Sequence, residues 1–381
     1  HVRSRRQRQM CIRDRDKKEL ETLITNGIES TRYLAVDESR MLADPARYYK
    51  GGKPDLQLFD KKLYEVNPDD KVAIARAAAE EVLGKDERII SVDSSYSDGE
   101  GSSYRLISNG FEGESKSTWF SVSASVSIKG EGEARPQDYW YDSALFYDKL
   151  TKTGIGAKAL ERVLRKLGQK KAKSGKYTMV VDPMNVGNLL SPMLSALYGS
   201  ALQQKNSFLM DKLDTKVASD LFTLRDEPHA IGANGSRYFD NEGVATEPRT
   251  VFDKGVLKTY FIDTYNGKKM DIAPTISAPS RLILTPGDKD LNGLVADIKQ
   301  GILVTGFNGG NSNSSTGDFS YGIEGFLIED GKLTQPVNEM NVTGNMVTLW
   351  NSLVAVGNDP QPNRSWQIPS LVFEEVDFSG L

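Results

Sequence analysis

The chain has 381 residues, of which 38% are hydrophobic and 26% charged, and its formal net charge is −4. This composition is typical of a globular protein with two or three domains, and it excludes an intrinsically disordered chain. Two histidines and one cysteine exclude a disulfide framework, a cysteine-based zinc site and a two-histidine metal motif within one chain. Apolar runs are far shorter than the roughly 20 residues that span a bilayer. We therefore expect a cytoplasmic protein with no membrane partner.

A strongly basic segment opens the sequence. Residues 1–18 carry eight Lys and Arg side chains against Asp14 and Asp16. One interpretation is a basic arm for nucleic acid or an anionic membrane. The other is a tail foreign to the fold, because the run resembles a translated adapter sequence joined to a truncated reading frame. We favour the second, with residues 1–16 foreign or disordered and no nucleic-acid partner, since the remaining body is acidic.

Helical periodicity begins at Lys17. Apolar residues at three- and four-residue spacing from Leu20 to Ile28 predict an amphipathic helix that ends near Tyr33. A connector rich in proline and glycine follows at residues 45–54. An alanine-rich segment, residues 68–84, predicts a second helix that begins at Pro-Asp-Asp and stops at glycine.

The periodicity then changes to two. Over residues 120–128, apolar side chains alternate with serines, which predicts a strand with one buried and one solvated face. With the β-type segments 89–92 and 104–107, this pattern predicts an antiparallel meander of about four strands that ends near Tyr141.

The second half of the chain reads as mostly β. Helical spacing between Leu145 and Leu167 ends at Ser174-Gly175, and a buried-type strand follows at residues 177–181. Helix starts are predicted at Asp182-Pro183 and Ser191-Pro192, and a further helix near residues 291–300. Turn signals predict two hairpins, at Asp253-Lys254-Gly255 and at Asp330-Gly331.

Candidate catalytic groups are few. No P-loop or dinucleotide-binding motif is present. His229 is accompanied by no serine elbow of the GxSxG kind, so we interpret it as a structural loop histidine. Two carboxylate pairs stand out, Asp240 with Glu242 and Asp318 with Glu324. Such pairs perform acid–base chemistry, hold a hard cation or satisfy backbone donors in turns.

The second half also carries short motifs whose order and spacing are specific. They are Asp182-Pro183, Ser207-Phe208-Leu209, residues 239–246, Gly255-Val256-Leu257, residues 317–322, residues 328–331 with Pro336-Val337, and residues 356–359. In this order they resemble the TldD/PmbA family, also known as the modulator of DNA gyrase family, and the match runs from about Lys17 to the C-terminus. The resemblance implies a two-subunit cytoplasmic metalloprotease that acts on unfolded polypeptides.

The family's catalytic, TldD-like subunit carries an HExxxH motif on the helix after a strand–turn unit. Its histidines bind zinc and its glutamate activates water. In this sequence residues 183–210 contain no His, Glu or Asp. The chain therefore resembles the other, PmbA-type (TldE) subunit, and we expect no cofactor in it, with zinc in the TldD-like, HExxxH-bearing partner. Unfolded peptides would be its substrates, and it would form either this heterodimer or, when alone, a homodimer.

The resemblance implies an α+β fold in three parts after the tail. These are a remnant of an N-terminal α/β domain (residues 17–60), a middle α+β domain with an antiparallel meander (61–174), and a larger C-terminal β-rich domain with flanking helices (175–381). The two subunits would enclose a chamber that admits an extended peptide by strand addition. Chamber-facing residues are predicted from polar positions in the resembling motifs: Gln204, Ser207, Asp240, Asp318, Ser320 and Tyr321.

Two alternatives stay open. One is an independent hydrolase in which Asp240, Glu242 and Asp318 surround a hard metal such as magnesium or manganese. The other is a non-enzymatic peptide-binding or regulatory module.

Overall fold

The computed structural model describes residues 17–381, so the expected tail at 1–16 lies outside the described residues. The described residues divide into two units after Met41, with residues 17–41 in the first and Leu42–Leu381 in the second. In the first unit, helix α1 (Lys17–Thr31) has the predicted periodicity and buries none of its residues. Residues 42–60 belong to the larger unit. No helix among residues 17–381 is long and apolar enough to cross a membrane.

The middle of the chain forms a three-stranded antiparallel sheet with helices on one face. Its helices and strands are α2 (Pro68–Glu80), β1 (Ile89–Ile107), β2 (Phe111–Ile128), β3 (Gln137–Ala144) and α3 (Ile155–Leu164). The strand order is β1-β2-β3. The alternation at residues 120–128 is confirmed, because the apolar members are buried against α2 and α3. The prediction of about four strands is wrong, since residues 89–107 form one continuous strand.

The C-terminal part contains two further sheets, which confirms the α+β class. The first has the strand order β11-β10-β9-β4-β14-β12, and β11 also pairs with β14, so five of its strands close into a barrel. Its strands are β4 (Gly175–Val181), β9 (Gln300–Ser312), β10 (Asp318–Glu329), β11 (Lys332–Asn345), β12 (Leu353–Val356) and β14 (Leu371–Ser379).

The second sheet has five short strands in the order β13-β8-β5-β6-β7. These are β5 (Leu224–Asp226), β6 (Arg249–Asp253), β7 (Val256–Leu257), β8 (Leu282–Leu284) and β13 (Trp366–Gln367). Between the two sheets lies the core, where the rings of Phe222 and Trp350 are 4.4 Å apart. Both predicted hairpins are confirmed as the β6–β7 and β10–β11 turns.

Short helices flank these sheets. They are α4 (Gly187–Ser195), α5 (Gly199–Gln203), α6 (Thr264–Met270), α7 (Leu291–Ala296) and α8 (Met346–Asn351). The predicted helix start at Ser191-Pro192 is wrong, because Pro192 lies inside α4. Burial of Leu189 and Leu190, which precede the proline, explains why the helix begins earlier.

Candidate functional site

A depression made of three adjoining cavities lies along the boundary between the middle and C-terminal domains. Its widest part, about 480 Å³, lies between the β1–β2 ribbon and residues 49–58 and 236–241. Cavities of about 350 Å³ and 140 Å³ adjoin it, and neighbouring cavities share lining residues. The shared residues are Leu58, Ser236 and Arg237 between the first two, and Leu145, Ala233 and Asn234 between the last two. We call this depression the interdomain groove.

Phe111, at the tip of the β1–β2 ribbon, fixes one end of the groove. It is 1% exposed, and its ring lies 5.2 Å from that of Tyr48 and 5.1 Å from that of Phe239. Gly243 has a φ of +79°, and a Cβ there would lie 2.6 Å from the Phe111 ring, so a side chain would be strained and would clash. The Tyr48 hydroxyl donates to Asn109 Oδ1 at 2.6 Å. The ribbon is thereby held against the C-terminal domain.

One edge of β2 is open beside the groove. The amide of Thr118 donates to the Leu58 carbonyl at 3.0 Å, but β3 pairs with β2 only over residues 120–127. Backbone groups of a strand alternate between its two edges. The amides and carbonyls of Glu114 and Lys116 therefore face the same edge as those of Thr118, and no strand of the described chain covers them. Such an edge can pair with another extended chain.

Stacked tyrosines form a wall of the groove. The rings of Tyr49 and Tyr238 are 5.1 Å apart and nearly parallel, at 9°. Behind them, the His229 ring lies 5.0 Å from Tyr238, and its Nε2 lies 3.0 Å from Thr246 Oγ1. Burial, with a contribution from the Lys53 charge, lowers the pKa of His229. The ring contact and the hydrogen bond make His229 a packed side chain, which is consistent with a structural loop histidine.

Charge is distributed unevenly along the groove. The wide part carries both signs, with Lys53, Arg105 and Lys116 near Asp55 and Glu114. The narrow 140 Å³ end is lined by two arginines and by no acidic residue. Sequence reasoning has no signal for this arrangement, because the lining residues come from segments that are far apart in the chain.

Gln204 and Ser207 lie three residues apart in sequence but differ in environment. The buried Ser207 hydroxyl donates to the Ala196 carbonyl at 2.6 Å and accepts from the Leu209 amide at 3.1 Å. Gln204 is exposed directly after α5. Ser207 thus has a turn-stabilising role, whereas Gln204 is accessible.

Asp240 is one of the predicted residues that line the groove, but its carboxylate is already occupied. It is 2% exposed and accepts hydrogen bonds from the amides of Glu242, Val244 and Ser277 at 2.8, 3.0 and 3.0 Å. These bonds hold the 240–244 turn against the following segment. The position supports a structural role at the groove wall.

Asp318, Ser320 and Tyr321 lie close together at the start of β10. Asp318 is exposed and accepts from Asn345 Nδ2 at 3.0 Å and the Thr316 hydroxyl at 2.7 Å, and these bonds lower the pKa of its carboxyl. Ser320 is exposed, and Tyr321 is half-buried. That these residues face a chamber stays a prediction.

The structure brings the two segments that carry most predicted residues into contact. Asn206 Oδ1 accepts from the Ser314 hydroxyl at 2.7 Å, and the Phe208 amide donates to the Ser314 carbonyl at 2.9 Å. Residues 204–207 therefore lie beside the turn that leads into β10. Within residues 17–381, no three His, Cys, Asp or Glu side chains are grouped to hold a metal ion. The trio Asp240, Glu242 and Asp318 is accordingly not gathered.

Helix α4 occupies the place at which the resemblance expects HExxxH in a catalytic subunit. It follows β4 and a turn in which the Asn185 amide donates to Asp182 Oδ1 at 3.0 Å. Burial raises the pKa of Asp182, and hydrogen bonds from Asn185 partly offset that rise. The core-facing side chains of α4 are all apolar: Leu189, Leu190, Met193 and Leu194.

Two family models match most of the chain. The PmbA/TldA metallopeptidase central domain matches residues 61–167, and the PmbA/TldA metallopeptidase C-terminal domain matches residues 174–380. A metalloprotease PmbA homologue of Haemophilus influenzae is 29% identical over 372 residues, which cover 94% of this chain and 81% of that protein.

Solved structures share the fold. A Bacteroides thetaiotaomicron protein described as a candidate modulator of DNA gyrase is 73% identical, with a TM-score of 0.95, and the match covers 96% of this chain and 84% of that one. TldE from Thermococcus kodakarensis is 21% identical, with a TM-score of 0.79 and coverage of 96% and 85%, a likeness in fold alone.

Proposed function

Because the chain belongs to the PmbA/TldD metallopeptidase family, we propose that it is the subunit without a metal of its own in a two-subunit metallopeptidase. A TldD-like subunit with an HExxxH motif would supply the zinc and the activated water. This chain would contribute part of the surface that receives an unfolded peptide.

The composition of α4 is the observation that carries the proposal. A zinc site of the family's kind needs two imidazoles on one helix face and a carboxylate beside the bound water. Helix α4 has neither residue type, and its inner face is buried among apolar side chains. The whole chain has only His1 and His229, and His229 packs behind Tyr238. The ligands of a zinc site would therefore have to come from another chain.

The interdomain groove supports the peptide-binding part of the proposal. An unfolded substrate offers backbone amides and carbonyls regardless of its side chains, and an open strand edge pairs with those groups. The edge at Glu114 and Lys116 lies on the wide part of the groove, opposite residues 49–58. Stacked Tyr49 and Tyr238 add an apolar wall for the peptide's side chains.

Cleavage of an unstructured peptide tests the proposal. This chain alone, a TldD-like subunit alone and an equimolar mixture are compared by mass spectrometry of the products. We expect cleavage to need the mixture, and to vanish when the HExxxH glutamate of the TldD-like subunit is replaced by glutamine. Cleavage by this chain alone would contradict the proposal.

Two variants of this chain separate the proposal from an independent hydrolase. Glu242→Gln and Asp318→Asn remove carboxylates that such a hydrolase would use, so it would lose activity and bound metal. In the proposed complex neither variant abolishes cleavage by the mixture, since the zinc ligands and the activating glutamate would belong to the TldD-like subunit. Asp318→Asn would weaken peptide binding only if Asp318 faces the chamber. Metal analysis of this chain, purified alone, is expected to give less than one equivalent of zinc, magnesium or manganese.

A further inference from the structure

The narrow end of the interdomain groove is a small cavity with an unusual charge. It has a volume of about 140 Å³. Its lining residues are Leu145, Phe146, Gly232, Ala233, Asn234, Arg281, Asn363, Arg364 and Gln367. Two of these are cationic and none is acidic, so the cavity is positive and rich in hydrogen-bond donors.

Arg281 has no counter-ion in the cavity. Its Nε is buried without a hydrogen-bond partner. The acidic residue that acts on its charge is Glu227, and that carboxylate already accepts from Arg225 Nε at 2.7 Å. A buried donor of a charged group that lacks a partner costs free energy. Nε itself is closed off from solvent, so a bound anion would be held through the Nη groups of the guanidinium.

Arg364 lines the same cavity and, like Arg281, has no carboxylate partner there. Its guanidinium is 4.7 Å from the centre of the Tyr141 ring, a cation–π contact, and it has no salt bridge to a carboxylate in residues 17–381. Burial lowers the pKa of both Arg281 and Arg364, although a guanidinium remains protonated at neutral pH. Both arginines therefore line one small cavity that has no acidic side chain in its lining.

Hydrogen bonds hold the loop that carries Arg364. Gln367 Nε2 donates to the carbonyls of Arg364 and Gln361 at 2.7 and 3.2 Å. Asn234 Nδ2 donates to the Asn363 carbonyl at 3.3 Å across the cavity. The arginine is thus positioned before any ligand arrives, which reduces the entropy lost on binding.

We propose that this cavity binds the carboxylate group of a peptide that lies in the interdomain groove. A guanidinium fits a planar carboxylate through paired hydrogen bonds, and a carboxylate is small enough for the space. The inference rests on the proposed function, since it takes the ligand to be an unfolded peptide. The carboxylate is either the peptide's C-terminus or an acidic side chain.

The rest of the groove gives the peptide a path. The cavity adjoins the 350 Å³ part at Ala233 and Asn234, and that part adjoins the wide part at Leu58 and Arg237. The open edge of β2 lies in that wide part. A peptide whose carboxylate binds Arg281 and Arg364 would therefore extend toward a strand edge able to pair with its backbone.

Direct binding to the full chain tests the proposal. The probe is an unstructured ten-residue peptide of Ala, Ser, Gly and Thr with an N-terminal dansyl group, and its fluorescence anisotropy is measured. Three forms are compared: a free C-terminal carboxylate, a C-terminal carboxamide, and a carboxamide with one internal Glu. We expect the free carboxylate, the Glu-containing carboxamide, or both to bind about 10- to 100-fold more tightly than the plain carboxamide.

Matched variants locate the effect. Arg281→Gln and Arg364→Gln should each bring the carboxylate peptide to the affinity of the plain carboxamide, and Arg281→Lys should retain part of the difference. Arg76→Gln on α2 removes the same charge at an exposed position outside the cavity, and it should keep the full difference. Circular dichroism checks that each variant is folded. If Arg281→Gln does not fold, Arg364→Gln alone tests the cavity.

Either of two results would overturn the proposal: equal binding of all three peptides by the unmodified chain, or a carboxylate preference that survives in the folded Arg281→Gln and Arg364→Gln variants. Preference for the C-terminal carboxylate or for the internal Glu supports the cavity and tells the two sources apart. Cleavage by the mixed subunits is measured separately. Its failure with carboxylate preference intact would count against the proposed function and not against the cavity.

Discussion

Replacement of Phe111 by alanine tests whether the ribbon tip holds the two walls of the groove together. Phe111 is 1% exposed and makes ring contacts of 5.2 and 5.1 Å with Tyr48 and Phe239. Truncation of a fully buried phenylalanine costs about 3–5 kcal/mol, and the two ring pairs place this site near the middle, at about 4 kcal/mol. That loss corresponds to an increase of roughly 1000-fold in local opening.

Hydrogen exchange with mass spectrometry measures this opening segment by segment. We expect protection to fall in the ribbon tip, in residues 42–50 and in residues 239–245, because all three meet at Phe111. Tyr104→Ala is the matched control, since Tyr104 is an aromatic residue of the same ribbon with 62% exposure. Surface changes of that kind cost less than about 0.5 kcal/mol.

A loss of protection confined to the immediate neighbours of residue 111 would refute this reasoning. So would an equal loss in Phe111→Ala and Tyr104→Ala. Either result would mean that the ribbon and the C-terminal domain are joined by other contacts, and that the groove does not depend on the aromatic tip.

Two further predictions concern pH and the boundary at residue 41. Because the pKa of His229 is lowered in the folded chain, the unfolded chain takes up a proton more readily. The free energy of unfolding, measured in urea, should therefore fall as pH drops from about 7.5 to 5.5. His229→Gln should make this dependence on pH less steep. A slope unchanged by the substitution would contradict this. In hydrogen exchange, residues 17–41 should be far less protected than residues 42–60, because α1 buries no side chain whereas the Tyr49 amide donates to the Gly243 carbonyl at 3.1 Å. Similar protection in both would contradict the division.

The parts of the fold that sequence predicted well are those set by local periodicity. The serine alternation at 120–128 gave the buried face of β2 correctly, because the pattern repeats at each pair of residues. The strand count failed because residues 89–92 and 104–107 were predicted as separate segments, whereas the strand runs on through Gly99 and Gly101 between them. A Cβ at Gly99 would lie 3.0 Å from the Trp119 ring, so this glycine accommodates a cross-strand side chain within one long strand.

The groove could not be predicted in the same way, because its properties arise from distant segments. Arg281 and Arg364 are separated by more than eighty residues, and in sequence each looks like an ordinary surface charge. What distinguishes them is that they line one cavity and that neither forms a salt bridge within residues 17–381. By contrast, Asp240 and Ser207 stood out because they belong to the resembling motifs, and hydrogen bonds to nearby backbone give both a structural role.

The open edge of β2 and the arginine-lined cavity would recognise different features of a peptide. Pairing along an edge is independent of side chains and leaves the peptide free to slide by two residues at a time. A carboxylate held by Arg281 and Arg364 at one end would remove that freedom and fix both register and direction. A subunit without a metal could then determine which bond of an unfolded chain reaches the zinc of its partner. Loss of the cavity's charge should accordingly spread the cleavage positions along a peptide more than it slows the total rate.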